Sequence, residues 1–323
     1  MRAVYREIWQ RAADAVGATL GDLGSGFLEL RSGSRRVRVW LHWIELEDIV
    51  AHRLSLDKAR VHELLAADGV SVPEHVEFDY RDLRSAETFM AESELPCVVK
   101  PASGTGGGGG VTSGVRTAAE LVRARLRASR ADTRLLIERQ AQGVAHRVLV
   151  LDGELLDAVR RRPPSVQGDG RSSIAELIAA ENRRRLEGGG WQGFRLLTVD
   201  LEAVLTLERQ GFDLGSVPAA GASVTIKAVE SQNAPRENET VREAISPELV
   251  AEAGTAARAV GLRLAGIDLV APDLSRPLRD CGGVIVEVNG TPGFQYHYLV
   301  AEPDDATEVA VPILRKLLDE RSP

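Results

Sequence analysis

The sequence predicts a mixed α/β (α+β) protein, because helical and strand patterns alternate along most of the chain. Segments with apolar residues three and four positions apart are followed by short apolar runs bounded by glycine or proline. The 323 residues are 44% hydrophobic and 27% charged, which is typical of a folded protein with a large core and two or three lobes. This composition excludes a disordered or fibrous protein.

Three helices and four strands are predicted in the first half of the chain. The helix DKARVHELLAADG has Asp57 as its N-cap and ends at Gly69. The other predicted helices are SAETFMAES and the amphipathic TAAELVRARLRASR. The predicted strands are VPEHVEF, LPCVVKPA, a short run after a glycine loop, and TRLLIERQ.

The second half continues the alternation. HRVLVLDGELLDAVRR predicts a hairpin that turns at Asp152 and Gly153. SSIAELIAAENRRR predicts a helix whose capping box joins Ser173 and Glu176. A helix, PELVAEAGTAARAVG, is followed by the strands AGIDLVAP and VIVEV, which a polar hairpin loop connects, and by the final helix VAVPILRKLLDE.

Charge and cysteine content narrow the classes of function. The formal net charge of -7 argues against a general nucleic-acid binder but leaves phosphate and carboxylate ligands open. Two cysteines, Cys97 and Cys281, have no metal-ligand spacing and form no disulfide framework, which favours a reducing compartment. No run of about 18 apolar residues occurs, and the N-terminus has no signal-peptide pattern. We therefore expect a cytoplasmic protein with no membrane partner.

The strand VIVEVNGTPG carries polar side chains on one face. Glu287 and Asn289 lie two positions apart and so point the same way. Asp268, on the strand paired with this one, can join them on the same sheet face. Two carboxylates and an amide oxygen suit Mg²⁺ held together with substrate phosphates. The alternative is a half-exposed sheet face with ordinary solvated acids.

A run of five glycines, Gly106 to Gly110, follows the strand that ends at Lys100. Such a run is costly to order, so it is expected where the backbone approaches or covers a ligand. A lysine beside it favours phosphate binding by ammonium and backbone N–H groups. The Walker A and Rossmann patterns are both absent. The alternative is an irregular surface turn.

The order of these motifs resembles that of the ATP-grasp superfamily. The segments GVAHRVLVLDGELLDAVRRRPPSVQGDGRSSIAELI and GIDLVAPDLSRPLRDCGGVIVEVNGTPGF are similar to the ATP-grasp portion of the cyanophycin synthetase family, and the likeness extends from about Leu23 onwards. The resemblance implies an ATP-grasp fold in which two α/β lobes clasp ATP. Its parts would be a small N-terminal domain (1–55), an N-lobe with the glycine lid (56–140) and a C-lobe with the metal site (141–323).

The resemblance also implies roles for particular residues. Implied contacts to ATP are Lys58, Lys100, Gly106, Gly107, Gly108, Glu138, Gln140 and Ala141. The implied metal ligands are Asp268, Glu287 and Asn289. Implied catalytic contacts near the transferred phosphoryl group are Arg147, Lys227 and Asn289.

The implied activity is an ATP-dependent carboxylate–amine ligase that forms an amide through an acyl phosphate and releases ADP and phosphate. The implied cofactors are ATP and Mg²⁺, with Mn²⁺ as an alternative. The implied partners are amino acids or short peptides, and a homodimer is compatible with the resemblance. Two alternatives stay open: a kinase-type phosphotransferase with a small-molecule acceptor, and a non-catalytic nucleotide-binding module.

The sequence departs from its relatives at three places. Ala145 stands where they have an acidic residue that binds the ribose. Gly266 replaces an arginine of D-alanine:D-alanine ligases, and APRENETV replaces a serine-, threonine- and glycine-rich stretch of cyanophycin synthetases. The APRENETV segment is expected to border the acceptor, so we expect a ligase that does not make cyanophycin; because the Mur-ligase-like half of cyanophycin synthetase is not in this sequence, we expect a free-standing ligase. Candidate contacts to its substrate are Arg160, Arg161, Arg171, Arg236, Tyr296, His297 and Tyr298.

Overall fold

The computed structural model describes residues 1–105, 108–188 and 195–320. These residues form four sheets, in which every pair of neighbouring strands is antiparallel. The alternation of helices and strands confirms the predicted fold class. Among the helices described, none combines the length and the apolar character that a membrane crossing needs.

The N-terminal segment contains a helix and a four-stranded meander. Helix α1 (Arg2–Val16) precedes strands β1 to β4, and helix α2 (Ile49–Ser55) follows them. The strands are Thr19–Gly24, Phe27–Ser32, Arg35–Trp40 and Trp43–Ile44. Helix α1 buries Tyr5, Ile8, Trp9, Ala12 and Ala13, which recur at helical spacing.

This segment shares a hydrophobic core with distant parts of the chain. Trp9 of α1 packs edge-on against Phe294, with ring centroids 5.5 Å apart. The same core contains residues of the C-terminal helix and of the second half of the chain, including Leu149 and Leu264. The apolar face of residues 1–55 is thus buried by the rest of the protein. A separate domain over these residues stays a prediction.

The first lobe is built on a four-stranded sheet in the order β5-β8-β6-β7. The strands are His75–Asp79 (β5), Cys97–Pro101 (β6), Thr112–Val115 (β7) and Arg134–Arg139 (β8). Helices α4 (Arg84–Ala91) and α5 (Ala118–Ala128) belong to the same hydrophobic core. All of these elements were predicted from the sequence.

Helix α3 (Lys58–Ala67) begins at the predicted N-cap, where the Asp57 side chain accepts a hydrogen bond from the Arg60 N–H. Its buried residues Val61 and Leu65 belong to the core of the second lobe. The helix that the sequence analysis assigned to the first lobe therefore packs against the second.

The second lobe is built on a five-stranded sheet in the order β13-β10-β9-β14-β15. The strands are Val144–Leu151 (β9), Glu154–Arg161 (β10), Asn238–Thr240 (β13), Leu264–Ala271 (β14) and Val284–Gly290 (β15). The predicted hairpin turn is present, with positive φ at Asp152 and Gly153. Helix α8 (Pro247–Val260) packs on this sheet, and α10 (Ala310–Asp319) packs on α1.

The loop between β14 and β15 contains a short helix, α9 (Leu278–Cys281), where the sequence analysis expected a polar hairpin loop. Its Leu278 side chain is fully buried, and the Leu278 N–H donates to Glu252. Burial of this one apolar side chain explains why the segment is ordered as a helix.

A small unit with its own core lies between β10 and β13. It consists of β11 (Ser165–Gln167), α6 (Ile174–Glu187), α7 (Leu201–Arg209) and β12 (Ser223–Thr225). Helix α6 has the predicted capping box. Helix α7 was not predicted; its N-cap is Asp200, whose side chain accepts from the Ala203 N–H.

Candidate active site

A cavity of about 720 Å³ lies between the two lobes. Its volume is within the range of small-molecule sites in proteins. Most of the site residues predicted from the sequence line it, although they come from widely separated stretches. The predicted residues at the cavity wall are Lys58, Lys100, Gly108, Glu138, Gln140, Ala141, Arg147, Asp268, Glu287 and Asn289.

Two buried lysines project into the cavity from the first turn of α3 and the end of β6. The Lys58 Nζ lies 3.2 Å from Glu287 Oε1 and donates to the Thr105 carbonyl at 3.1 Å. The Lys100 Nζ lies 2.6 Å from Glu138 Oε1. Both ammonium groups therefore hold a carboxylate in this structure and are placed to meet an anion in the cavity.

The three predicted metal ligands lie on neighbouring strands, as the sequence analysis expected. Asp268 is directly opposite Glu287 in the register of β14 and β15, and Asn289 is opposite Gly266. The Asn289 Nδ2 donates to Asp268 Oδ2 at 3.2 Å. Within the described part of the chain, no cluster of three His, Cys, Asp or Glu side chains suited to a metal is found. The set of two carboxylates and one amide oxygen fits Mg²⁺ that shares phosphate oxygens.

Arg147 forms a bidentate ion pair with Asp268. The Arg147 Nε lies 2.5 Å from Asp268 Oδ1, and Nη2 lies 2.7 Å from Oδ2. Burial alone would raise the pKa of Asp268, but the charge and hydrogen bonds of Arg147 outweigh this and hold the pKa below its ordinary value. Asp268 is therefore ionised at neutral pH and available as an oxygen ligand.

Gly266 provides the space that Arg147 occupies. A Cβ built on Gly266 would lie 3.2 Å from Arg147 Nη1 and 2.7 Å from the Pro292 Cβ. A larger residue at this position would therefore push against the guanidinium. The structure gives a physical reason for the glycine that the sequence analysis recorded only as a departure.

Glu138, Gln140 and Ala141, which the resemblance implied as contacts to ATP, line the cavity. The Gln140 Oε1 accepts from the Gly114 N–H at 2.7 Å, and the Gln140 N–H donates to the Pro96 carbonyl. The Gln140 amide group is thus committed to the fold of the first lobe. Ala145 also lines the cavity, so no carboxylate is present at the position expected to bind ribose.

The glycine loop reaches the second lobe. Gly108 has a φ of +76°, and a Cβ built on it would lie 3.1 Å from the side chain of Ser231. This close approach explains why a glycine stands at this position. Gly106 and Gly107 lie outside the described residues, so their predicted contact with ATP stays a prediction.

Lys227 is the predicted site residue that the described structure places away from the cavity wall. Its buried Nζ lies 2.9 Å from Asp200 Oδ2 and donates to the Thr198 Oγ1 at 2.8 Å. Asp200 also pairs with Arg127 of the first lobe at 2.7 Å. Lys227 thus belongs to an ion-pair cluster between the small unit and the first lobe, because Asp200 holds its ammonium group.

Arg161 and Tyr296 also line the cavity. The Arg161 guanidinium lies 4.6 Å from the centroid of the Tyr296 ring, and Nη1 lies 4.0 Å from Asp268 Oδ1. The sequence analysis included both residues among candidate substrate contacts. Of the other candidates, Arg160 pairs with Glu239, Arg236 pairs with Glu181, and His297 is buried against Asp157.

Glu230 is a cavity residue that the sequence analysis missed. Burial raises the pKa of its carboxyl group to about 7, although the nearby Arg161 acts in the opposite direction. The signal in the sequence was its place in AVESQN, immediately before the segment that departs from the relatives.

Comparison with known proteins identifies the family. Residues 57–150 match the family model described as the carbamoyl-phosphate synthase L chain, ATP binding domain. Cyanophycin synthetase from Trichormus variabilis is 34% identical over 292 residues, covering 89% of this chain and 32% of that protein. These matches show that the chain contains an ATP-grasp domain. The chain spans about a third of the length of the curated relatives it matches.

Other ATP-grasp relatives agree with this assignment. The glutathione biosynthesis bifunctional protein GshAB from Mannheimia succiniciproducens is 29% identical over 249 residues, which are 75% of this chain and 32% of that protein. Among solved structures, a bifunctional glutathione synthetase from Pasteurella multocida has a TM-score of 0.58 at 24% identity, covering 94% of this chain and 42% of that one. The structural likeness confirms the predicted ATP-grasp fold.

Proposed function

We propose that this ATP-grasp protein is an ATP-dependent carboxylate–amine ligase that acts on amino acids or short peptides. The observation that carries the proposal is the meeting of Lys58, Lys100, Asp268, Glu287 and Asn289 at one cavity between the lobes. Relatives named for cyanophycin and glutathione synthesis support amino-acid or peptide substrates. The lobes would be residues 56–140 and 141–323, as the resemblance implies, with helix α3 of the first range packed against the second lobe.

The two lysines and the wall of β8 would bind the nucleotide. Lys58 and Lys100 supply positive charge for the phosphates, because each can exchange its present carboxylate partner for a phosphate oxygen. The wall formed by Glu138 and Ala141 would hold the adenine, and the glycine loop would cover the phosphates. Water exclusion by this cover would protect an activated intermediate from hydrolysis.

Asp268, Glu287 and Asn289 would hold Mg²⁺ through oxygen ligands. When bound, Mg²⁺ neutralises charge on the phosphates and polarises the phosphoryl group. Arg147 would keep the Asp268 carboxylate ionised and oriented through its two hydrogen bonds. Arg161, stacked on Tyr296, would orient an anionic group of the substrate beside this centre.

The reaction would have two steps. A substrate carboxylate oxygen attacks the γ-phosphorus of ATP, ADP leaves, and an acyl phosphate forms. An amine then attacks the acyl carbon, phosphate leaves, and an amide bond results. The protein contributes mainly by positioning the two substrates and by stabilising negative charge with Lys58, Lys100 and Arg147.

The proposal is tested by measuring ADP and phosphate release from Mg-ATP with amino acids and dipeptides, singly and in pairs, and by mass spectrometry of the products. We expect release that depends on a pair and a product whose mass is that of both substrates minus water. A phosphorylated single substrate would instead support the kinase alternative. ATP binding without turnover across the panel would leave the ligase proposal without support.

A further inference from the structure

Glu230 is a cavity residue whose carboxylate interacts with its own backbone N–H but makes no close ion pair within the described part of the chain. It lies in the short 3-10 turn Glu230–Gln232, between β12 and β13. Among the described residues, no other side chain forms a hydrogen bond or an ion pair with its carboxylate. Glu230 is half-buried at the cavity wall, and a carboxylate there that lacks a close cationic partner attracts positive charge. Such a group is therefore expected to bind a cation or a proton during function.

The position of Glu230 is fixed relative to the reaction centre. Its backbone carbonyl accepts a hydrogen bond from Arg161 Nη2 at 3.1 Å. The other terminal nitrogen of Arg161 lies 4.0 Å from Asp268 Oδ1. One guanidinium thus links the backbone of Glu230 to the proposed metal site. The next residue, Ser231, contacts the glycine loop at Gly108.

The nearby lysine does not neutralise Glu230. The Lys227 ammonium, three positions earlier, contacts Asp200 and Thr198 instead. The Glu230 carboxylate would repel an anionic ligand, so the ligand it favours is a cation. The cationic substrate of a carboxylate–amine ligase is the protonated amine.

We infer that the Glu230 carboxylate binds the ammonium group of the amine substrate and accepts the proton that this group must lose before it attacks the acyl carbon. This inference rests on the proposed ligase function and assigns one residue to the recognition and activation of the amine.

In the proposed step, one ammonium proton passes to the Glu230 carboxylate and leaves a neutral amine. The nitrogen lone pair forms the C–N bond, and the acyl C–O bond to phosphate breaks with its electron pair on the phosphate. A second nitrogen proton goes to the departing phosphate, and the Glu230 carboxyl group returns its proton to water.

The charges around Glu230 suit a proton acceptor at neutral pH. Burial raises its pKa to about 7; Arg161 of β10 lowers the pKa, and Asp268 of β14 and Glu202 of α7 raise it. Below about pH 7 the group is protonated and cannot accept a proton. Amide formation should therefore fall as the pH drops through this region.

The test compares two nucleophiles in the wild-type protein and in Glu230→Gln. One nucleophile is the amine found in the substrate panel, which enters as an ammonium ion. The other is hydroxylamine, which is largely uncharged at neutral pH and traps an acyl phosphate as a hydroxamate without needing a proton acceptor. The matched control is Glu243→Gln, since Glu243 is exposed and lies away from the cavity.

We expect Glu230→Gln to lower the ratio of amide to hydroxamate formation by about 10²-fold, and Glu243→Gln to keep the wild-type ratio. In Glu230→Gln the acid limb of the amide pH profile should move from about pH 7 to the higher pKa of the amine itself, because only the uncharged amine then attacks. Equal losses of both products would overturn the inference and indicate a structural role for Glu230. Absence of hydroxamate with every carboxylate in wild-type protein would contradict the proposed ligase function itself, and the inference with it.

Discussion

Two groups of ion pairs connect different parts of this protein, and they differ in what their charges face. The first, which we call the cavity cluster, contains Lys58–Glu287, Lys100–Glu138 and Arg147–Asp268, and its members line the cavity. The second, which we call the α7 cluster, contains Arg127–Asp200 and Lys227–Asp200. It joins the small unit to the first lobe beside helix α7.

In these two clusters, the partners and surroundings of a buried charged residue, rather than its residue type, decide whether it serves catalysis or stability. Lys58 and Lys227 are both buried lysines paired with a carboxylate. A ligand in the cavity can replace the partner of Lys58, whereas Asp200 simultaneously caps α7 and binds Arg127 and Lys227. We therefore expect substitutions in the cavity cluster to affect catalysis, and substitutions in the α7 cluster to affect stability.

The largest effect is expected from Glu287→Gln in the cavity cluster. The substitution keeps the shape of the side chain but removes a carboxylate from the proposed metal site and the ionic partner of Lys58. We expect the turnover number to fall by about 10³-fold, or about 4 kcal/mol in activation free energy. ADP release from Mg-ATP with the best substrate pair measures this.

The control for this prediction is Glu243→Gln, an exposed position that should keep full activity. Far-UV circular dichroism should show that Glu287→Gln keeps its fold. Near-normal turnover in a folded Glu287→Gln protein would refute the assignment of Glu287 to the metal site.

A smaller effect is expected from Gly266→Ala. The added Cβ would meet the Arg147 guanidinium and Pro292, so Arg147 would shift from its bidentate contact with Asp268. We expect unfolding free energy to fall by about 1–3 kcal/mol, as for other overpacked sites, and turnover to fall about tenfold. Denaturant unfolding and steady-state kinetics below the unfolding midpoint measure the two effects.

Gly21→Ala is the matched control, because a Cβ there meets its nearest atom only at 3.8 Å. Loss of stability in Gly266→Ala with wild-type turnover would show that the position of Arg147 is not important for the reaction.

Lys227→Met tests whether the α7 cluster affects stability rather than turnover. Removal of the ammonium group leaves Asp200 with Arg127 as its charged partner, and we expect unfolding free energy to fall by about 1–3 kcal/mol. Turnover should fall far less than in Glu287→Gln. A loss of turnover as large as that of Glu287→Gln, without loss of stability, would support the direct phosphate contact predicted from the sequence.

The smallest effect is expected at the surface, where Asp152 pairs with Arg263 and Lys316. Hydrogen bonding by Arg263 lowers the pKa of Asp152 to about 2, so its stabilising effect is present above about pH 4 and is lost as the pH falls through about 2. Asp152→Asn should cost about 0.5–1 kcal/mol at pH 7, since exposed pairs contribute little. The difference between the two proteins in denaturant unfolding should shrink between about pH 4 and pH 2. A difference that stays constant over this range would show that the charge of Asp152 is not its cause.

Local sequence patterns were sufficient to predict much of the fold and the proposed metal ligands, whereas Lys58, Glu138 and Arg147 were expected only from the resemblance to the ATP-grasp superfamily. Asp57 at an N-cap, the Asp152–Gly153 turn and the polar alternation at Glu287 and Asn289 are short-range signals that the structure retains. The ordered series of motifs then indicated which polar residues share one cavity. The antiparallel register of β14 and β15 keeps Asp268 opposite Glu287, as the sequence pattern predicted.

The features that the sequence did not predict depend on contacts between distant segments of the chain. No local pattern indicates that Asp200 holds Lys227, because the two residues are 27 positions apart in sequence and meet through the packing of α7. Similarly, the limited space beside Gly266 and the lack of a close ion pair for Glu230 among the described residues arise from strands and turns that meet only in the folded protein. Single-sequence reasoning has no access to such tertiary contacts.

The most direct test of the central claim is to follow oxygen from the carboxylate substrate. The carboxylate identified in the panel, labelled with ¹⁸O in its carboxyl group, is incubated with Mg-ATP, the amine and the protein, and the released phosphate is examined by mass spectrometry. The account predicts one ¹⁸O atom in the phosphate for each amide formed, because the acyl phosphate transfers a carboxyl oxygen to phosphorus. Amide formation with unlabelled phosphate would contradict an acyl-phosphate route.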